Sequence, residues 1–344
     1  MATIAESLKP ILDGRDIDFD QAKQILDLIF EGQVPEVQIA AFLTAMRIKR
    51  PTAEEIAGFA SSLRGHAVTV QSGLRDLVDT CGTGGGAVKT CNVSTAAAIV
   101  AAGAGVYVAK HGNRGITSNC GSADVLEALG VKIDAPASVV ASCIRGARIG
   151  FMYAPLYHPA MRVVQPVRKA LGFRTIFNIL GPLANPAGAN RQVLGVADEA
   201  LVEPVCNALV RLGTIRAMVV HSQGLDEIST VGPTTVMEIK DGTVLRYQIE
   251  PHRFGMGTSR LEELKVDGPA DSARLIRQIL FGKDTGPRRD IVLLNAAAAI
   301  MVGGLADDLE EGLAKAEAAI NDGRAGDCLE RLIKISHGQQ DLEA

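Results

Sequence analysis

From about residue 75 onward, short apolar runs alternate with helix-like segments, and this alternation constrains the fold more than any other feature. Leu77-Val78-Asp79 reads as a strand running into a glycine cluster. Thr95 to Ala104 reads as an Ala-rich helix, Val106 to Ala109 as a second strand, and Ser122 to Leu129 as a helix closed by Gly130. A helix over 136–147 and a strand over 149–153 follow. Gln192–Val196 and Arg216–His221 read as strands flanking a helix over Ala200–Leu212. Strand–helix alternation is the pattern of a parallel sheet covered by helices, because parallel neighbours need a crossover between them. Val236–Ile239 and Val244–Gln248, around Asp241-Gly242, read as an antiparallel hairpin. The tail from about residue 270 is helical.

The first 68 or so residues read as helices only. Asp18 with Gln21, and Thr52 with Glu55, have capping-box spacing, and Pro35 suits a first helical turn. Pro159 to Leu180 is amphipathic and is expected to return to these helices. The expected fold class is therefore α/β: a small all-helical domain plus a large α/β domain with a central, mostly parallel sheet flanked by helices. The division is read as 1–70, completed by part of 160–190, and 71–344.

Composition narrows the function. The 344 residues carry 35 Lys and Arg against 39 Asp and Glu, a net charge of −4, which argues against a broad nucleic-acid footprint. Aromatics make up 4% with no Trp, so stacking platforms for single strands are not expected. The cysteines Cys81, Cys91, Cys120, Cys143, Cys206 and Cys328 form no C-x-x-C pair, and a reduced, cytoplasmic setting is expected. Glu6 and Lys9 interrupt the first apolar stretch, unlike a signal peptide. No run reaches the ~18–20 apolar residues of a membrane span.

Cys81-Gly82-Thr83-Gly84-Gly85-Gly86 follows a strand, where glycines let backbone N–H groups close around an anion. Asn92-Val93-Ser94-Thr95 then opens a helix whose first N–H groups favour negative charge. The alternative is a tight turn with an ordinary helix cap, but four glycines with Lys89, Thr90, Asn92, Ser94 and Thr95 exceed what a turn requires. The P-loop pattern fails because Val88 precedes Lys89-Thr90, and G-x-G-x-x-G fails at Ala87. A second polar segment, Lys110-His111-Gly112-Asn113-Arg114-Gly115-Ile116-Thr117-Ser118, follows the next strand. It reads as a pyrophosphate and sugar clamp, or as solvated surface charge if taken alone. Ser122 adds a phosphate ligand or a helix cap. Asp226-Glu227, beyond strand 216–221, suits Mg²⁺ or an exposed acidic turn. In His158-Pro159-Ala160-Met161-Arg162 through Arg168, and on to Gly172-Phe173-Arg174-Thr175, Arg168 offers a planar fork to a carboxylate. An arginine on an amphipathic helix otherwise snorkels to solvent.

Through GTGG, NVST, KHGNR, GSADVLEALG, HPAMR with PVR, RTIFNILGPLANP and LDEIS, in this order and over nearly its whole length, the chain resembles the anthranilate phosphoribosyltransferase family of tryptophan biosynthesis. The resemblance implies a fold shared with pyrimidine nucleoside phosphorylases and a homodimer through the helical domains. It implies that Gly82, Gly85, Gly86, Thr90, Asn92, Ser94, Thr95, the segment Lys110 to Ser118 and Ser122 bind phosphoribosyl pyrophosphate. Ser94, Asp226 and Glu227 would hold Mg²⁺. Asn113 and Arg168 would contact anthranilate, with Gly112 and His111 near its path. Departures are Gly86 where the family commonly has Asp, Gly115 for Ser, Cys91 for Phe, and no basic residue near Asn119; contacts through backbone N–H groups survive them.

The implied reaction joins the anthranilate amine to C1 of the ribose and releases pyrophosphate. Mg²⁺, Lys110 and the amides of 82–86 would stabilise the leaving group, while Arg168 and Asn113 orient the amine. Small-molecule substrates are expected, with no nucleic acid or membrane partner. The competing readings are a nucleoside phosphorylase and a noncatalytic nucleic-acid-binding relative on the same fold.

Overall fold

The computed structural model describes residues 4–84, 90–115 and 120–339. The N-terminal segment folds as α1 (Ile4–Leu12), α2 (Phe19–Phe30), α3 (Glu36–Lys49) and α4 (Ala53–Gly65). Both expected capping boxes form. Asp18 accepts the Gln21 N–H at 2.8 Å, and Glu55 Oε2 accepts the Thr52 N–H at 2.8 Å. Glu55 is fully buried and also accepts from Ile17 N and Lys49 Nζ, so one cap residue ties the loop before α2 to the end of α3.

The remainder alternates: β1 (Val78–Gly82), α5 (Val93–Gly103), β2 (Val108–Gly112), α6 (Ser122–Ala128), α7 (Ala137–Ala147), β3 (Ile149–Tyr153), α8 (Ala154–Tyr157), α9 (Met161–Leu171) and α10 (Phe177–Leu180). Then come β4 (Arg191–Gly195), α11 (Val202–Arg211), β5 (Arg216–His221), β6 (Thr234–Lys240) and β7 (Thr243–Ile249). The tail is α12 (Pro269–Leu280), α13 (Pro287–Val302), α14 (Leu309–Asn321) and α15 (Arg324–Ser336).

Among the described residues one seven-stranded sheet forms, in the order β3-β2-β1-β4-β5-β6-β7. β1 to β5 are parallel, while β6 and β7 add antiparallel at one edge. The chain winds outward from β1 to β3, then returns to place β4 on the other side of β1. Between β1 and β4 the winding reverses, and the carboxyl ends of such a pair open onto a crevice. One sheet face, with Val78, Val108, Val193 and Val220, packs on α5 and α12 to α15. The other face, with Leu194, Ala217 and Val219, shares a core with α2, α4 and α11 and with Val164, Val167 and Phe177. Residues of the 160–190 stretch thus pack with the N-terminal helices.

β2 starts and ends later than the sequence reading has it, at Val108–Gly112 and not at 106–109. Lys110 and His111 are therefore strand residues, not loop residues. Polar side chains in a strand break the apolar signature, and here they are buried because neighbouring strands and helices supply partners.

Candidate active site

The crevice is built at the ends of β1 and β4, which pair through Gly82 and Gly195. Asp226, after β5, is pressed against both. A Cβ at Gly82 would stand 2.1 Å from Asp226 Oδ2, and one at Gly195 would stand 1.6 Å from Asp226 O. Only glycine admits Asp226 at this depth. Beyond Gly82 the chain turns at Gly84, with φ of +64°. There the Gly84 N–H donates to Asp226 Oδ2 at 2.8 Å, and the Thr83 N–H donates to Gly195 O at 2.9 Å.

Asn92 caps the entrance to α5 without a side-chain cap bond. Its Oδ1 instead accepts from Ser272 Oγ at 2.7 Å, and its Nδ2 donates to Cys120 O. Ser94, in the first turn, meets Lys110. The Lys110 ammonium is buried, donates to Thr80 O at 2.5 Å, and lies 3.4 Å from Ser94 Oγ. Burial pulls the Lys110 pKa down, against the attraction of Asp79, Cys81 and Glu227. The solvated-charge reading of Lys110 is thereby excluded. Thr95 is buried behind Ser94.

Glu227 Oε2 accepts from Thr90 Oγ1 at 3.0 Å. Removal from water, with the Asp226 charge beside it, pushes the Glu227 carboxyl up to about 8; burial also raises Asp226. Lys110 and Arg174 offset the charge of the two carboxylates only in part, and a hard divalent cation would supply the rest. Among the described residues no group of three or more His, Cys, Asp or Glu is placed to hold a metal ion. Asp226, Glu227 and the Ser94 hydroxyl therefore fit a cation that takes its remaining ligands from water and phosphate oxygens, as Mg²⁺ does.

Asn113 is exposed at the end of β2, and its Oδ1 accepts the Arg114 N–H at 2.8 Å. The Arg114 guanidinium turns away to Asp124 and Glu127, at 2.9 and 2.7 Å. Gly115 N donates to Asp124 Oδ2, and Ser122 Oγ lies 3.4 Å from Asn113 O, so α6 fastens this segment. Gly112 leaves room for Ser122, whose Oγ would be 2.0 Å from a Cβ there. His111 Nδ1 sits 3.1 Å from Gly181 O, and its ring lies 4.9 Å from that of His158. Burial, aided for His111 by its neighbour, holds these histidines neutral, at about 3 and about 4. The Arg168 guanidinium lies 5.5 Å from the Phe177 ring centroid, half-buried, with no carboxylate paired to it among the described residues. Gly85, Gly86, Ile116, Thr117 and Ser118, with Lys89 and Asn119, lie outside the described residues.

The sequence reading assigns no role to Gly195, Arg174 or Asp79. Asp79 is buried on β1, accepting from His111 N and Asn185 Nδ2 at 3.3 and 2.8 Å. The RTIFN stretch contains Arg174, but its reach across to the glycine loop depends on the fold.

The chain matches the glycosyl transferase family a/b domain over residues 74–326, and the helical bundle domain of that family over residues 5–67. It is 50% identical over 338 residues to the anthranilate phosphoribosyltransferase of Chloroflexus aggregans, which covers 98% of this chain and 99% of the relative. The crystal structure of anthranilate phosphoribosyltransferase from Thermus thermophilus superposes with a TM-score of 0.92 at 40% identity, covering 96% of this chain and 99% of that one. The Saccharomyces cerevisiae enzyme, in complex with PRPP and Mg, superposes at 0.87 with 31% identity, covering 97% and 98%.

Proposed function

The chain belongs to the anthranilate phosphoribosyltransferase family, and from that membership we infer that it transfers the phosphoribosyl group of phosphoribosyl pyrophosphate to the amine of anthranilate, the second step of tryptophan biosynthesis from chorismate. The observation that carries this is the convergence, at the β1/β4 reversal, of the glycine turn, Ser94, the buried Lys110 and the Asp226-Glu227 pair. A nucleoside phosphorylase has no use for that acidic pair beside an anion cradle.

In this reading, the C1–O bond of the ribose breaks early. Positive charge develops on the sugar ring and negative charge on the departing diphosphate. The start of α5 and the Lys110 ammonium would stabilise the diphosphate, while the turn at Gly82–Gly84, whose Thr83 and Gly84 N–H groups are engaged by Gly195 and Asp226, would shape the cradle. Asp226, Glu227 and Ser94 would hold Mg²⁺, which supplies positive charge to the diphosphate oxygens when bound. In this proposal Gly82, Thr90, Asn92, Thr95, residues 110–115 and Ser122 would line the binding path; Gly85, Gly86, Ile116, Thr117 and Ser118 are assigned to it from the sequence alone. Arg114 would hold this segment in place, since its side chain is engaged with α6 and its N–H with Asn113 Oδ1. Arg168 and Asn113 would orient anthranilate, whose carboxylate matches a guanidinium with no acid partner among the described residues. The aryl amine is neutral at pH 7 and needs no strong base, consistent with His111 and His158 being held neutral.

A homodimer through the helical domain fits the exposed Leu12, Val37 and Ile48 on α1 and α3. Six free cysteines fit a reducing, cytoplasmic compartment. Among the described residues no helix is long and apolar enough to cross a membrane. The test mixes purified protein with anthranilate, phosphoribosyl pyrophosphate and Mg²⁺ and follows anthranilate fluorescence. The signal should decay only when every component is present; decay that does not require phosphoribosyl pyrophosphate would refute the reading.

A further inference from the structure

Arg174 lies in the connection between α9 and α10, yet its guanidinium reaches the glycine loop. Nη2 donates to Thr83 O at 3.2 Å and to Gly84 O at 2.5 Å. The Thr83 carbonyl and the Gly84 N–H belong to one planar trans peptide unit and point in opposite directions. That same N–H donates to Asp226 Oδ2 at 2.8 Å. One peptide unit is therefore gripped on both sides, by a cation at its oxygen and a carboxylate at its N–H. Gly84, at φ +64°, has access to other backbone states that a residue with a Cβ would not, so its orientation has to be imposed from outside.

We propose that Arg174 is a positioning residue of the diphosphate loop, fixing the 83–84 peptide unit and, through the Gly84 N–H, the Asp226 carboxylate. The role rests on the phosphoribosyl-transfer reading above. A guanidinium suits it because its planar, delocalised head holds charge against two successive carbonyls, where an ammonium is a point donor. A solvent-connected cavity of about 390 Å³ adjoins Arg174 and is lined also by Met46, Arg50, Pro51 and Thr83. It gives a small cation a route to the place the side chain would vacate.

Arg174→Ala and Arg174→Lys in the full chain test this. In Arg174→Ala, phosphoribosyl pyrophosphate binding by calorimetry with Mg²⁺ should weaken about tenfold or more, the loss expected for charge-assisted hydrogen bonds. Its KM should rise in parallel while the KM for anthranilate stays within about twofold. Exchange of the Gly84 amide in the metal-free protein, read by NMR, should accelerate. Added guanidinium should recover part of the lost affinity in Arg174→Ala and have no such effect on the wild type. Arg174→Lys should be intermediate, and it carries the same comparison if the alanine variant does not fold. Unchanged Gly84 exchange, or equal losses against both substrates without guanidinium recovery, would overturn the assignment. Failure of the wild-type transfer assay would count against the functional reading instead, since the exchange readout requires no turnover.

Discussion

Gly195 and Asp226 meet backbone against backbone, so closely that a Cβ at Gly195 would lie 1.6 Å from the Asp226 carbonyl oxygen. This contact seats the loop after β5 over the end of β4 and brings the acidic pair to the crevice. Gly195→Ala must push two strand-end segments apart, and overpacking of this kind costs about 3 kcal/mol. Urea unfolding should show that loss together with a sharp fall in activity. A variant of wild-type stability and activity would mean that Asp226 is not seated there.

Arg168 carries charge without an acidic partner among the described residues, half-buried beside Phe177. Arg168→Ala should raise the KM for anthranilate about 30-fold, corresponding to about 2 kcal/mol for a charge-assisted pair. The KM for phosphoribosyl pyrophosphate should change little. Steady-state kinetics with each substrate varied in turn makes the comparison; equal losses would remove Arg168 from the anthranilate site.

Asp226→Asn combined with Glu227→Gln removes the charges that fit a divalent cation. Activity at low Mg²⁺ should vanish, with partial return only at high Mg²⁺. An unaltered Mg²⁺ dependence would count against the metal assignment.

His111 and His158 are buried as neutral rings, held at about 3 and about 4 against an ordinary 6.5. The unfolded chain takes up protons on both below pH 6.5, while the native state does not. Their contribution to stability is thus present above about pH 6.5 and is lost as pH falls toward 4. Each contributes up to about 1.4 kcal/mol per pH unit to that slope. Asp79, raised by burial to about 6, and Glu227, raised to about 8, act in the opposite sense below those values, so the histidine contribution is read as a difference between variants. In denaturant unfolding between pH 4.5 and 6.5, stability should rise less with pH (or fall more) in His158→Gln than in the wild type, and an identical slope would show that His158 titrates normally.

Much of this arrangement was legible in the chain. Strand–helix alternation is local and periodic, so the parallel sheet and the β6–β7 hairpin follow from it, as do both capping boxes. The glycine cluster, Ser94 and the Asp226-Glu227 pair were also visible, as residue types crowded at strand ends. The sequence placed Lys110 in a loop because a buried ammonium in a strand has no apolar signature; its partner, Thr80 O, lies on the neighbouring strand. The reach of Arg114 to Asp124 and Glu127 was hidden by the ambiguity of any surface arginine. Gly195 and Arg174 gain their meaning only once β4 lies beside β1, a pairing between segments more than a hundred residues apart.

A crystal structure of the protein with phosphoribosyl pyrophosphate and Mg²⁺ tests the centre of the account most directly. The diphosphate should lie between the turn at Gly82–Gly84 and the first turn of α5, near Lys110, with a Mg²⁺ ion linking it to the Asp226-Glu227 carboxylates. A diphosphate bound away from the β1/β4 crevice, or bound there with Asp226 and Glu227 facing elsewhere, would contradict it.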